Sequence, residues 1–307
     1  RYHGESWLDK LRDARTNIYN LRDTFYIAAG FCKSLWLLLS NRPDVIFAKG
    51  GYVCLPLGLA AAALRIPIVV HDSDTRPGLT NRVLSHFAKS IATGSPIENY
   101  SYDPARTEYV GVPIQETFHR FSDEEKIAAR HELGMIDVSA PLVVVTGGGL
   151  GSQIINEAII RSGEALMRSG VHVYHVTGKR HYDKLESRLP DHPHYQAVPF
   201  VYRDMQQVLG AADLVVSRAS ATFIQELAGL AKPAILIPAS HLSDQVKNAT
   251  VYERADAAVV LSDHDVSEGD RLGQEIVSLL SSRADLSKLS HNLHQFARPD
   301  AALRVAS

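Results

Sequence analysis

Twice from near the middle of this chain onward an apolar, strand-like run ends in small residues that open at once into a helix. No other feature constrains the fold as much. In the first case Pro141 to Thr146 runs into Gly147-Gly148-Gly149-Leu150-Gly151-Ser152-Gln153 and the amphipathic start Ile154-Ile155-Asn156. Glycine at four of the five positions 147–151 lets the backbone turn sharply and come close to a ligand. The helix that follows offers unpaired N–H groups and its positive dipole end, so the expected guest is a phosphate. In the second case Asp213 to Ser217 leads through Arg218-Ala219-Ser220-Ala221-Thr222 into the helical run Phe223 to Leu230, then into the buried-strand run Pro233 to Pro238. Two such helix starts converging on one crevice would hold a diphosphate, each contributing about 0.3–1 kcal/mol when exposed. A tight turn that binds nothing is the alternative for either loop taken alone.

The same alternation extends over most of the chain. Expected elements ahead of the glycine loop are a strand over 44–48, a helix over 53–64, a strand over 67–71, a helix over 78–88 and strands over 90–93 and 108–111. Repeated strand and helix units imply parallel, doubly wound sheets. Val112-Pro113-Ile114-Gln115 then leads to a helix whose Ser122 and Glu125 form a capping-box pair, which marks the domain boundary. The second series of strands is expected near 171–176, 195–198, 214–217, 234–237 and 257–261. The reading is a first domain over 1–113, a linker over 114–121, a second domain over 122–290 and a final helical segment over 291–307. Arg298-Pro299 breaks that last segment, which could return to the first domain.

With 307 residues, the chain is long enough for two cores. A net charge of −2 supplies no global basic field, so nucleic acid drops out as a partner. The only cysteines, Cys32 and Cys54, have no metal-ligand spacing and read as thiols of a reduced, cytoplasmic protein. No apolar run reaches the length of a membrane span. Residues 5–40 instead carry helix spacing in Trp7, Leu8, Leu11, Ile18, Leu21, Phe25, Ile27, Phe31, Leu35, Trp36 and Leu39, interleaved with Lys10, Arg12, Arg15, Arg22 and Lys33. Such a stretch is either a helix or two packed on a sheet or a basic, aromatic face that lies on an anionic membrane. Because the chain opens at Arg1 with a polar lead-in, an amino-terminal segment is expected ahead of it.

Several residues carry candidate chemistry. A dinucleotide site would need a carboxylate at the end of the strand after the glycine loop, and His172 to Lys179 supplies none, which argues against NAD. Glu226, one turn into the second anion-binding helix, could accept from both ribose hydroxyls, or be an ordinary solvated glutamate. Asp244, Gln245 and Asn248 follow the strand that ends at Pro238, where open α/β sheets place ligands. In the first half, Gly50-Gly51-Tyr52 and His71 to Asn81, with Asp74, bring polar groups to adjacent strand ends. His71 is either a base or a buried polar anchor. Asp72-Ser73-Asp74 spells a D-x-D metal motif, but Asp263-His264-Asp265 spells it too, so no metal and no cofactor are called for.

Taken together, these residues resemble the family-28 glycosyltransferases of GT-B fold. Gly50-Gly51-Tyr52-Val53, His71 through Asn81, Gly147 through Asn156, Ser217-Arg218 through Glu226, and Asp244-Gln245 with Asn248-Ala249 stand in that family's order and spacing. The resemblance implies an α/β protein of two doubly wound, Rossmann-like domains facing a central cleft. It also implies inverting transfer of N-acetylglucosamine from UDP-GlcNAc to an undecaprenyl-diphosphate-linked muramoyl peptide in peptidoglycan synthesis. By that likeness Gly147, Gly148, Gly149, Gly151, Ser220, Ala221 and Thr222 take the diphosphate, Glu226 the ribose, Gln245 the sugar, and the backbone near Val201 and Tyr202 the uracil. Arg218 and Asp244 belong to the same donor site.

On the acceptor side, Gly50, Gly51, Tyr52, Asp74 and Asn81 meet the lipid-linked substrate, and the aromatic face meets the inner surface of the plasma membrane. The resemblance places a glycine-rich loop and the base ahead of Arg1, with His71 the candidate inside the chain. The chain departs from the family pattern in four places: His71-Asp72-Ser73-Asp74 where His-Glu-Gln-Asn is usual, Gly149 in place of serine, Gln115 in place of arginine, and Ser220 in place of glycine. Fewer donors are then left for the nucleotide, so the expectation is UDP-sugar binding with little turnover. A non-catalytic UDP-sugar scaffold, a sugar-nucleotide epimerase and a glycolipid glycosyltransferase share the fold as alternatives.

Overall fold

The computed structural model describes the backbone over residues 14–307 and side chains from residue 25 onward. The expected positions Trp7, Leu8, Leu11, Lys10 and Arg12, and the side chains of Arg15, Ile18, Leu21 and Arg22, lie outside the described residues. The chain divides into two compact units, one ending at Tyr109 and the other running Val110–Ser307.

In the first unit, α1 (Ala14–Ser40) is one continuous helix. The chain continues through β1 (Ile46–Ala48), α2 (Cys54–Ala63), β2 (Ile68–Asp72), α3 (Leu79–Leu84), β3 (Ser90–Thr93) and β4 (Thr107–Tyr109). The four strands are parallel and stand in sequence order. Leu38 is buried and Phe31 and Leu35 pack on the same core, with α1 laid against α2. Phe25, Tyr26, Trp36 and Leu39 on the same helix are exposed. The helix expected over 78–88 closes after Leu84, where the backbone bonds shift to the carbonyl three residues back, as from Phe87 N–H to Leu84, and the chain continues as a turn.

The second unit opens with α4 (Asp123–Glu132), capped as the sequence implies: Glu125 N–H donates to the Ser122 hydroxyl and the Glu125 carboxylate accepts from Ser122 N–H. Then follow β5 (Leu142–Thr146), α5 (Gln153–Arg168), β6 (His172–Val176), α6 (Lys179–Leu185), β7 (Tyr195–Val198), α7 (Met205–Ala211), β8 (Leu214–Ser217) and α8 (Ala221–Gly229). The unit closes with β9 (Ala234–Leu236), α9 (Ser243–Arg254), β10 (Val259–Val260), α10 (Asp263–Ser267), α11 (Arg271–Ser281), α12 (Arg283–His294) and α13 (Ala301–Ala306). The strand expected over 257–261 shortens to two residues, since it is the sheet's edge and pairs only with β9.

All six strands are parallel, in the order β7-β6-β5-β8-β9-β10. β5 is buried along its whole length and feeds two cores: Leu142 and Val144 pack on one face, Val143 and Val145 on the other. A strand covered by helices on both sides must be apolar throughout, which is why this run lacks the usual polar alternation. The chain winds outward in both directions from β5, so the switch point falls between β5 and β8. Ligands of open α/β sheets bind outside the carboxyl ends of the strands at that point. The two small-residue loops leave the sheet there. Between α12 and α13, Arg298 packs on Gly111, which holds φ +86; a Cβ on Gly111 would lie 2.5 Å from that of Arg298.

Candidate functional site

The glycine loop after β5 is fixed by contacts that admit no side chain at some positions and leave others open. Gly148 and Gly151 hold φ of +79 and +76, the left-handed region that glycine enters without strain. A Cβ on Gly147 would lie 2.1 Å from the Ser152 backbone N, and one on Gly151 2.4 Å from the Thr177 carbonyl oxygen. Gly149 faces open space, so nothing in the backbone requires glycine there.

Beneath the loop runs a buried, uncharged chain of hydrogen bonds. Asn156 Nδ2 donates to the Thr177 carbonyl at 2.9 Å, which leaves Asn156 Oδ1 to accept from His175 Nε2 at 2.9 Å. His175 Nδ1 then accepts from the Tyr195 hydroxyl at 2.9 Å, so its tautomer is set by its partners. Burial pushes the His175 imidazole down to about 3, and it is neutral near pH 7. This chain ties α5, β6 and β7 together under Gly151, and sequence reading missed it. Its only trace was polar residues inside an otherwise apolar strand.

The turn after β8 is held by side chains instead. The Arg218 guanidinium donates to Asp263 Oδ1 at 2.6 Å, the Ile237 carbonyl at 2.9 Å and the Ser152 hydroxyl at 2.7 Å. It therefore braces both helix starts. Ser152 in turn caps α5 by accepting from Ile155 N–H, while α8 begins at Ser220 with no side-chain cap. The N–H groups of α8 are left for a ligand. Although burial opposes ionisation of Asp263, the Ser240 N–H and Arg218 hold its carboxyl below the usual range. Asp265 caps α10 with Ser262. Both aspartates of that D-x-D triplet thus have structural work.

Two adjoining cavities open at these loops. The smaller, about 370 Å³, is lined by Gly147, Gly148, Gly149, Ser220, Arg218 and Gln245 among others. The larger, about 830 Å³, is lined by Tyr202, Arg203, Gln115 and Met205 among others. Thr222 and Glu226 line both. Burial pushes the Glu226 carboxyl up to about 7. The Gln245 side-chain oxygen accepts from Ala239 N–H at 3.0 Å, which orients its amide nitrogen. Gly151 packs below the loop, Ala221 opens α8, and Asp244 is exposed in the first turn of α9; none of the three lines either cavity.

In the first unit, Gly50 and Gly51 hold φ of +91 and +84 after β1, and Tyr52 beyond them is exposed. Gly50 lies against Asn81, whose Nδ2 donates to the His71 carbonyl at 3.0 Å and to Asp72 Oδ1 at 2.6 Å. The Tyr102 hydroxyl donates to the other Asp72 oxygen. Burial pushes the Asp72 carboxyl up, against the opposing hydrogen bonds from Tyr102 and Asn81. His71 is 0% exposed, its Nδ1 3.4 Å from the Ser73 hydroxyl. A general base has to reach within hydrogen-bond distance of its substrate. In this structure His71 and Asn81 are buried anchors under the loop, whereas Gly51 and Tyr52 are exposed and Asp74 is half-buried.

Residues 142–305 match the family description "Glycosyltransferase family 28 C-terminal domain", and residues 9–93 its N-terminal counterpart. This chain belongs to glycosyltransferase family 28. It is similar to a Listeria monocytogenes protein named UDP-N-acetylglucosamine–N-acetylmuramyl-(pentapeptide) pyrophosphoryl-undecaprenol N-acetylglucosamine transferase, with 31% identity over 94% of this chain and 79% of that one. Among solved structures, Acinetobacter baumannii MurG superposes with a TM-score of 0.75 at 23% identity, over 92% of this chain and 77% of that chain. A Listeria monocytogenes protein described as a putative UDP-N-acetylglucosamine 2-epimerase superposes at 0.70 with 14% identity, over 91% and 77%. Both structural likenesses carry the GT-B fold; the family-28 membership comes from the sequence.

Proposed function

We propose that this family-28 enzyme transfers N-acetylglucosamine from UDP-GlcNAc, with inversion, to an undecaprenyl-diphosphate-linked muramoyl pentapeptide. The observation that carries the reading is the 31% identity over 94% of the chain to a transferase of that name. Support comes from the second unit, where a glycine loop, an uncapped helix start and a half-buried carboxylate gather at one switch point. The smaller cavity takes the diphosphate on the N–H groups of the loop and of α8. Glu226 accepts from the ribose hydroxyls, and the Gln245 amide meets the sugar. As the bond to the anomeric carbon breaks, negative charge grows on the departing UDP. Donors already aimed at it are worth about 3–4 kcal/mol each when well placed. Gly149 and Gln115 supply fewer such donors than serine and arginine would, so turnover is expected to be slow.

In the first unit, the loops carrying Gly50, Gly51, Tyr52 and Asp74 receive the acceptor, with Asn81 and His71 supporting them from below. The exposed aromatics of α1 meet an anionic membrane surface, which would hold the enzyme at the cytoplasmic face of the plasma membrane. Among the described residues no helix is long and apolar enough to cross a membrane.

The test is calorimetric titration with UDP-GlcNAc, UDP-glucose and TDP-glucose, followed by an assay of labelled GlcNAc transfer to a short-chain analogue of the acceptor. UDP-GlcNAc should bind best, without metal, and Glu226→Ala should weaken it by about tenfold or more. Preference for TDP-glucose, or indifference to Glu226→Ala, would overturn the donor assignment.

A further inference from the structure

The larger cavity carries one cation that the rest of the molecule leaves unused. Arg203 lines it beside Tyr202, Asp204, Gln115 and Glu226. Its side chain is exposed and, among the described residues, makes no hydrogen bond or ion pair. Both nearby carboxylates leave it free: the Asp204 side chain accepts from Gln206 Nε2 at 3.3 Å, and the upward shift of Glu226 has burial as its only cause.

Its backbone, by contrast, is held. Asp204 sits at φ +61 as it opens α7, a conformation that costs a non-glycine residue energy and fixes the direction of the chain. On the other side, Lys179 stands 4.2 Å from the Tyr202 ring centroid and 4.8 Å from that of Phe200, pinning the aromatic pair. Arg203 is thus a free guanidinium on a fixed stem.

The two cavities divide the work. The glycine loop and Ser220 line only the smaller one, whereas Arg203 lines only the larger, and Glu226 and Thr222 belong to both. With the ribose at Glu226 and the diphosphate at the glycine loop, the larger cavity is left for the base. A guanidinium has donors and no acceptor. Uracil presents two exocyclic oxygens, both acceptors, while cytosine replaces the oxygen at C4 with an amino donor. A donor that meets a donor stays unpaired, and sites built to hydrogen-bond one group reject analogues that lack it.

We propose that Arg203 donates to the exocyclic oxygen at C4 of uracil, where cytosine carries an amino group, and makes this site prefer uridine over cytidine nucleotides. The inference rests on the donor reading above and deepens it. It is tested by calorimetric titration of UDP and CDP into the native chain, Arg203→Ala and Glu226→Ala. Glu226→Ala should weaken both nucleotides by the same factor, because they share the ribose. Arg203→Ala should weaken UDP by about tenfold or more and CDP by less than about threefold, bringing the two affinities together. As Arg203 is exposed and unpaired, its variant should melt where the native protein melts. If Arg203→Ala keeps the UDP preference while Glu226→Ala weakens both, the donor reading stands and this inference is overturned. Failure of both nucleotides to bind the native chain would remove both.

Discussion

The polar floors under the loops of the two units are built on opposite electrostatic plans. In the second unit, the floor under the glycine loop is neutral: Tyr195, His175, Asn156 and the Thr177 carbonyl pass hydrogen bonds along with no formal charge. In the first unit, the floor under Gly50 centres on Asp72, a buried carboxyl that takes hydrogen bonds from Asn81 and Tyr102. A site for a diphosphate gains from dipoles and loses from any fixed negative charge beneath it. The second unit keeps carboxylates out of that floor, and the one that lines the cavity, Glu226, is half neutralised by burial near pH 7. The first unit has no such restriction on its own floor.

The comparison breaks most sharply at Gly151. Alanine there would keep φ +76 and drive its Cβ to 2.4 Å from the Thr177 carbonyl, the acceptor at the end of the neutral chain. We expect Gly151→Ala to cost about 2–4 kcal/mol in chemical denaturation and to abolish UDP binding. Asp72→Asn is its counterpart in the first unit. An amide keeps one oxygen for Asn81 and Gly78 N–H but turns its NH2 group on the Tyr102 hydroxyl, which loses its acceptor, at a cost of about 1–3 kcal/mol. Because Asp72 belongs to the other unit from the donor residues, its UDP affinity should stay within about twofold of the native value.

Titration sharpens the contrast next, since His175 and Glu226 act with opposite signs. His175 is held far below its unfolded value of 6.5, at about 3, so the unfolded chain binds more protons between those values. Its contribution is present above pH 6.5 and is lost as pH falls toward 3. Glu226 is raised from 4.5 to about 7, so the folded chain binds more protons in that window. Its contribution is present below pH 4.5 and is lost as pH rises through about 7. Melting of His175→Gln should therefore show a flatter acid limb than the native protein, and Glu226→Gln a flatter slope between pH 4.5 and 7. UDP binding near pH 6 should also release protons, as ribose hydroxyls favour the ionised Glu226. Titration in two buffers of different ionisation enthalpy reads that release. Equal apparent enthalpies in the two buffers would refute the Glu226 contact.

Much of this was legible in the chain, for a stated reason. A strand covered on both faces is a continuous apolar run, so β8 could be bounded to the residue; β3 and β7 were bounded as well, although Ser90 and Gln196 are exposed on them. The capping box at Ser122 and Glu125 is a local pattern and was equally plain. Strand order was not legible, because it depends on which distant strands pair, and the switch point between β5 and β8 emerges only from that pairing. Side-chain allegiance was hidden for the same reason. The resemblance puts Arg218 in the donor site, but that Asp263, 45 residues on, engages it could not be read from the chain. Asn81 reads as an acceptor-side residue and His71 as either a base or a buried anchor; only the pairing of distant segments shows that both are buried. Arg203 was passed over, since a charge in a polar loop carries no sequence signal until the loop is seen to line a cavity.

The smallest expected effect lies within the glycine loop itself. Gly149 has no positive φ and a Cβ there would meet nothing within 4 Å, unlike Gly147 and Gly151 on either side. Gly149→Ser should therefore leave stability within about 0.5 kcal/mol of native, as for a substitution away from strained or buried features. The added hydroxyl would stand in the smaller cavity and could donate to the diphosphate, worth about 0.5–1.5 kcal/mol for an ordinary hydrogen bond and more to a charged partner. UDP affinity should rise by up to about tenfold with unchanged melting. A loss of affinity would mean that the diphosphate needs the space that glycine leaves. In that case the family's serine and this chain's glycine would mark two different seatings of the ligand on the same loop.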